Sequence, residues 1–68
     1  MKPRAIIALR RRHGLSQEAL ARLIDVSFAT VNRWEHGKGH PAGLHGQALQ
    51  AIARSKRRPR SIMIEIVA

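Results

Sequence analysis

The chain is predicted to be all-α: a bundle of four or five short helices, followed by a C-terminal strand or tail. Three observations carry the prediction. Apolar residues recur at three- and four-residue helical spacing in four separate windows. Ser, Gly and Pro stand where those windows begin and end. The 68 residues include no Cys, so neither a disulfide framework nor a thiolate zinc site can hold the chain together. Stability must come from helix packing, supplemented by dimerisation.

The first helix is expected from about Pro3 to His13. Pro3 suits the first turn, where its missing N–H would lack a partner in any case. Ile6, Leu9 and His13 share the spacing of one face, and Gly14 suits the residue just past the helix end. Arg10, Arg11 and Arg12 suit the negative end of the helix dipole. Ser16 reads as the N-cap of a second helix, with Glu18 in its first turn. Ala19, Leu20, Leu23 and Ile24 form its apolar face, while Gln17, Glu18 and Arg22 point outward. Asp25-Val26-Ser27 is the turn, and Asp25 takes the position that most needs a positive φ.

Ser27 is the second N-cap and opens a third helix, about Phe28 to His36. Val31 and Trp34 face inward, with Phe28, Ala29, Asn32 and Arg33 on or near the other side. Residues 37–43 hold too much Gly and Pro to remain helical. Leu44, Ala48, Ala51 and Ile52 give a fourth helix from about Gly43 to Arg54. SKRRPR at 55–60 reads as a basic linker, and SIMIEIVA at 61–68 as a β-branched strand wanting a partner for its edge. The division is a folded domain at 1–54 and a linker with apolar tail at 55–68.

Charge narrows the function. Lys and Arg total 13 against 4 Asp and Glu, a formal net charge of +9. Such an excess repels itself unless an anionic partner is expected, and nucleic acid leads. One Trp, one Phe and no Tyr argue against RNA-binding modules that stack bases on aromatic platforms. No apolar run approaches the roughly 20 residues that span a bilayer, and the short apolar patch at 5–9 does not make a signal peptide. The expectation is a soluble cytoplasmic protein with no membrane partner.

The segment LSQEALARLIDVSFATVNRWEHGK at 15–38 therefore reads as two helices around a three-residue turn, the second with a polar outer and an apolar inner face. LSQEALA at 15–21, VS at 26–27, TV at 30–31 and RWEHGK at 33–38 resemble the Cro/CI-type helix-turn-helix, or XRE, family of transcriptional regulators. The resemblance covers about Ile6 to Ile52 and implies a lambda-repressor-like fold and sequence-specific DNA binding. Asp25 departs from it, because the family more often has Gly there. By the resemblance, Gln17 is set against a phosphate or flanking base, and Phe28, Ala29 and Arg33 face base edges with Asn32 nearby. Thr30 and Lys38 match backbone-contacting positions. Arg10 and Glu35 match a pair linking the first helix to the end of the third.

The residue chemistry agrees. Arg33 can place two donors on guanine O6 and N7, and Phe28 and Ala29 offer apolar contact to a thymine methyl. Gln17 sits at a helix N-terminus that already favours phosphate, and Lys38 can reach a phosphate as a flexible point charge. Asn32 can pair with adenine if the helix is rotated towards it. The two capping serines, Ser16 and Ser27, complete the expected DNA-facing set. Each assignment has a plainer competitor: Phe28 as a staple on the second helix, Arg10 and Glu35 as purely structural, the arginine runs as solvated faces, and Trp34 as core.

His36, His40 and His45 are irregularly spaced with no Cys or carboxylate to complete a metal set, and no catalytic constellation emerges. No metal, cofactor or enzymatic activity is expected. The reading is a DNA-binding regulator of double-stranded DNA, a repressor on a palindromic operator, dimeric through Ile62, Ile64 and Ile66. TVNRWEHGKGHPAG at 30–43 also resembles the corresponding region of antitoxins, which implies an alternative: an autoregulator with a toxin as protein partner. A protein-interaction adaptor without DNA is a further alternative that the net charge opposes.

Overall fold

The computed structural model describes residues 1–55, which form four helices: α1 (Pro3–Arg12), α2 (Gln17–Leu23), α3 (Phe28–Glu35) and α4 (Gly43–Arg54). Each boundary lies within about a residue of the sequence expectation. The expected strand at 61–68 and most of the basic linker lie outside the described residues.

Three of the helices end in the same way. Leu15 N–H donates to the Arg10 carbonyl at 2.9 Å and Gly14 N–H to the Arg11 carbonyl at 3.0 Å. After α2, Val26 donates to Ala21 at 2.9 Å and Asp25 to Arg22 at 3.4 Å; after α3, Lys38 donates to Arg33 at 2.9 Å and Gly37 to Trp34 at 3.1 Å. This paired pattern satisfies otherwise orphaned carbonyls and needs a left-handed residue just past the helix. Gly14, Asp25 and Gly37 supply it, with φ of 65°, 57° and 74°. Asp25 adopts the conformation expected of it, so the turn keeps its geometry without glycine.

The core joins Ile6 and Leu9 of α1, Leu15, then Leu20, Ala21, Leu23 and Ile24 around α2, Val31 and Trp34 of α3, and Ala48, Leu49 and Ile52 of α4. Helix α3 packs on α2 and α1, and α4 packs on α1. With so small an interior, each of the buried Val, Leu and Ile side chains contributes about 1.5–3 kcal/mol of burial.

Helix α4 is rotated relative to expectation. Leu44 is 50% exposed, whereas Leu49 is fully buried. The inward stripe is His45, Ala48, Leu49 and Ile52, at the i, i+3, i+4, i+7 spacing. His45 heads it, half-buried, with its ring centroid 6.0 Å from that of Trp34. Counting only apolar side chains hides this face because its first member is a histidine.

Among the described residues, no helix is long and apolar enough to cross a membrane.

Candidate nucleic-acid interface

Two hydroxyl caps set the geometry. Ser16 Oγ accepts from Ala19 N–H at 3.0 Å and Ser27 Oγ from Thr30 N–H at 3.1 Å. Ser27 and Thr30 also share a hydroxyl hydrogen bond of 2.8 Å. Each cap satisfies a free N–H of its helix and is worth about 1 kcal/mol. The capped ends leave Gln17 and Phe28 as the first residues of α2 and α3.

Behind these ends runs a side-chain network. Arg10 grips Glu35 with two parallel bonds, Nε to Oε2 at 2.7 Å and Nη2 to Oε1 at 3.0 Å. Its Nη1 also donates to the Leu15 carbonyl at 3.2 Å. Gln17 Nε2 donates to Glu35 Oε1 at 2.9 Å, and Gln17 Oε1 accepts from Asn32 Nδ2 at 3.2 Å. Glu35 is thus the hub that ties α1, the start of α2 and the inner edge of α3 together. Its side chain is 5% exposed, that of Arg10 17%. Burial alone raises the Glu35 pKa, but the hydrogen bonds from Arg10 and Gln17, with the charges of Arg10 and His36, outweigh it and hold the carboxyl below its ordinary value. The hydrogen bonds to Glu35, opposed by burial and helped by its charge, raise Arg10.

The expected Arg10–Glu35 pair therefore forms. Its extension through Gln17 to Asn32 was hidden in the sequence, since four residues 10, 17, 32 and 35 meet only once the helices are packed. Asn32 is half-buried, and its Nδ2 is committed to Gln17 while its Oδ1 makes no hydrogen bond among the described residues.

The opposite side of α3 is different. Phe28 is 49% exposed, and Ala29 and Arg33 are exposed beside it. The Arg33 side chain makes no hydrogen bond or ion pair among the described residues, where Arg10–Glu35 is the one ion pair. Its Nη2 lies over the following loop, 4.0 Å from where a Cβ on Gly39 would stand. The remaining polar side chains of α3, and His36 that caps it, each hold at least one hydrogen bond: Thr30 with Ser27, Asn32 through Nδ2 with Gln17, and His36 Nδ1 donating to the Asn32 carbonyl at 2.7 Å. Lys38 is exposed in the loop at the end of α3, on the backbone bond to Arg33. Ser16 and Ser27 are exposed, and Gln17 and Thr30 half-exposed. Trp34, at 7% exposure, lies in the core. Among the described residues, no three of His, Asp and Glu gather in a way that could hold a metal ion.

One further contact escaped sequence reasoning. Arg12 donates to the Ala53 carbonyl, clamping the end of α4 to the end of α1. An arginine in a basic run gives no hint of which carbonyl it will reach.

Comparison with known proteins bears directly on this arrangement. A family model described as helix-turn-helix matches residues 6–49, which include both caps, the network and the exposed face of α3. Antitoxin HigA-2 of Vibrio cholerae serotype O1 (strain ATCC 39315 / El Tor Inaba N16961) is 29% identical over 62 residues. That alignment takes in 91% of this chain but 57% of the antitoxin, so the chain spans little more than half the length of this curated relative. No solved structure gives a significant match. With its matched segment covering well over half of its residues, the chain belongs to the helix-turn-helix family of Cro/CI (XRE) type, a family of DNA-binding regulators.

Proposed function

We propose that the chain is a sequence-specific transcriptional repressor that binds a palindromic operator as a homodimer, with α3 in the major groove. The observation that carries this reading is the contrast across α3: Thr30, Asn32 and Glu35 each hold a side-chain hydrogen bond within the fold, while Phe28, Ala29 and Arg33 stand exposed and hold none. Gln17 at the capped start of α2 and Lys38 after α3 are the phosphate contacts, with Ser16, Ser27 and Thr30 beside them at the helix ends. The net charge of +9 supplies the non-specific attraction. A single recognition helix reads only a few base pairs, and a two-fold dimer doubles the site. Dimerisation is assigned to Ile62, Ile64 and Ile66; sedimentation of the chain truncated after Arg60 tests it, and a truncated dimer of equal affinity would refute it.

Selection of bound sequences from a random duplex pool, with affinity then measured at several salt concentrations, tests the main reading. It expects an enriched palindrome and a steep salt slope. Equal affinity for every sequence would defeat the claim of specificity.

A second reading has its own support. The similarity to a protein named as an antitoxin favours an autoregulator that also binds a toxin. Co-expression with the product of a neighbouring reading frame tests it: growth arrest relieved by this chain supports the reading, and arrest unaffected by it counts against it.

A further inference from the structure

We propose that the cavity where the ends of α1 and α4 meet is a binding site for a phosphate group, carried by a small phosphomonoester or as inorganic phosphate. None of the residues involved belongs to the DNA-facing set, so the site stands whether or not the DNA-binding reading holds.

The cavity measures about 360 Å³ and is lined by Arg12, His13, Ala53, Arg54 and Ser55. That volume lies near the lower end for small-molecule sites, roughly 300–1,000 Å³. The lining selects the class of occupant. It includes no Asp or Glu, so nothing there favours a cation. Its one apolar side chain is Ala53, and it presents no Phe or Trp on which a base could stack. What converges on the cavity is positive charge and hydrogen-bond donors.

Three observations point to an oxyanion. The Nε2 of His13 is shielded from water and has no hydrogen-bond partner, and folded proteins rarely leave such an atom unpaired. Arg54 is exposed, and its guanidinium makes no hydrogen bond or ion pair among the described residues. Arg12 is exposed too and commits only Nη2, to the Ala53 carbonyl. One phosphate answers all three: the two guanidinium forks take its charge and Nε2 donates a further bond. Reaching Nε2 takes a shift of the cavity wall, and Arg12, an exposed member of that wall, is anchored by a single side-chain hydrogen bond.

The location makes the arginines indispensable. Helix α1 ends at Arg12 and α4 at Arg54, and the last carbonyls of a helix carry negative partial charge. Two such ends beside a cavity repel an anion. Arg12 covers one of these carbonyls and Arg54 adds a second cation, which reverses the sign. Arginines at helix ends commonly do no more than complement the dipole. Here they share a cavity with a buried nitrogen that the fold itself leaves unpaired.

Calorimetric titration of the full chain with inorganic phosphate, and separately with glycerol phosphate, tests the site at an ionic strength fixed with sodium chloride. One saturable site is expected, and the melting temperature should rise with phosphate concentration. Arg54→Ala should bind phosphate about tenfold more weakly, the loss of one charge-assisted contact. His13→Leu should also weaken binding about tenfold, yet melt at or above the wild-type temperature without phosphate, because no unpaired polar atom remains. Arg22→Ala removes the same charge from an exposed position outside the cavity and should bind phosphate as the wild type does.

The phosphate group has two sources, and duplex binding separates them. A free phosphomonoester as the source predicts that Arg54→Ala leaves the salt slope for duplex DNA unchanged. A DNA backbone as the source predicts a slope lower by about one unit. Phosphate binding that fails to saturate would overturn the proposal, as would an affinity unchanged in Arg54→Ala or in His13→Leu. A loss in Arg22→Ala as large as in Arg54→Ala would overturn it as well, since net charge alone would then account for the attraction.

Discussion

The two sides of α3 obey different rules. On the inner side, Val31 and Trp34 are buried, and the polar groups at its edge are joined in one network from Arg10 through Glu35 and Gln17 to Asn32. On the outer side, Phe28, Ala29 and Arg33 face solvent, and the arginine has no partner among the described residues. The inner side is explained by folding, because each side chain on it is packed or holds a hydrogen bond within the fold. The outer side is not fully so: Phe28 is 49% exposed, and that part of the ring gains nothing for the isolated chain. On the proposed reading, stability and recognition are separated across the width of one eight-residue helix, and substitutions on its two sides should sort into two classes.

The largest effect is expected from Trp34→Ala. Removing this side chain should cost about 3–5 kcal/mol, most of what a domain of this size has. Thermal melting followed by circular dichroism should find little folded protein at 25 °C, and a melt close to wild type would show that Trp34 is not the centre of the core.

Next is the network. Arg10→Ala leaves the Glu35 carboxylate buried without its cation, at a cost of about 3 kcal/mol, the lower end for a broken buried pair because the pair keeps some contact with water. Its pH dependence gives a second readout. The Glu35 pKa is lowered in the folded state, so its contribution is fully present above the ordinary glutamate pKa and lost as pH falls through the lowered folded value. Wild-type stability should therefore decline across that acidic window, and Arg10→Ala should decline less. If the two curves run parallel, the network does not carry the pair's stabilisation.

The outer side should behave in the opposite way. Arg33→Ala is expected to leave stability within about 0.5 kcal/mol of wild type. It should nevertheless cost about 1–3 kcal/mol in binding a selected site and relax preference at one base pair. A large loss of stability in this variant would erase the distinction between the two sides. Smallest is Lys38→Ala, which should weaken all duplexes alike and reduce the salt slope by about one unit, measured from affinities at several salt concentrations.

Much of this division is legible in the sequence, for local reasons. Ser16 and Ser27 announce helix starts because a hydroxyl cap bonds within its own first turn. Gly14, Asp25 and Gly37 mark helix ends because the left-handed residue is a local requirement. Val31 and Trp34 follow from spacing. The rest depends on how helices turn against one another. Leu44 and Leu49 exchange places relative to expectation because His45, a polar residue by habit, completes the inward stripe of α4 and meets Trp34. Leu15 is buried although it sits between helices, since the reversal after α1 folds it back onto the core. Of the network, the Arg10–Glu35 pair was expected by resemblance. The role of Gln17 in joining Glu35 to Asn32 could not be, because a glutamine amide can pair with nearly anything within reach. Arg33 and Phe28 were legible as outward, but only the packed structure shows that their polar neighbours are already engaged.

The position of Gln17 in that network has a thermodynamic consequence for any encounter at this edge. Both ends of its amide are held, by Glu35 and by Asn32. A glutamine immobilised on binding costs roughly 0.5–1.5 kcal/mol of side-chain entropy. Here that loss occurs when the chain folds, and it does not recur on association. The second hydrogen of Nε2 stays available, aimed in a direction set by the fold. Arg33 and Lys38 must instead surrender their freedom at the moment of contact. On the proposed reading, the rim beside α3 is therefore ordered before contact, whereas the arginine assigned to a base is ordered only in the act of binding.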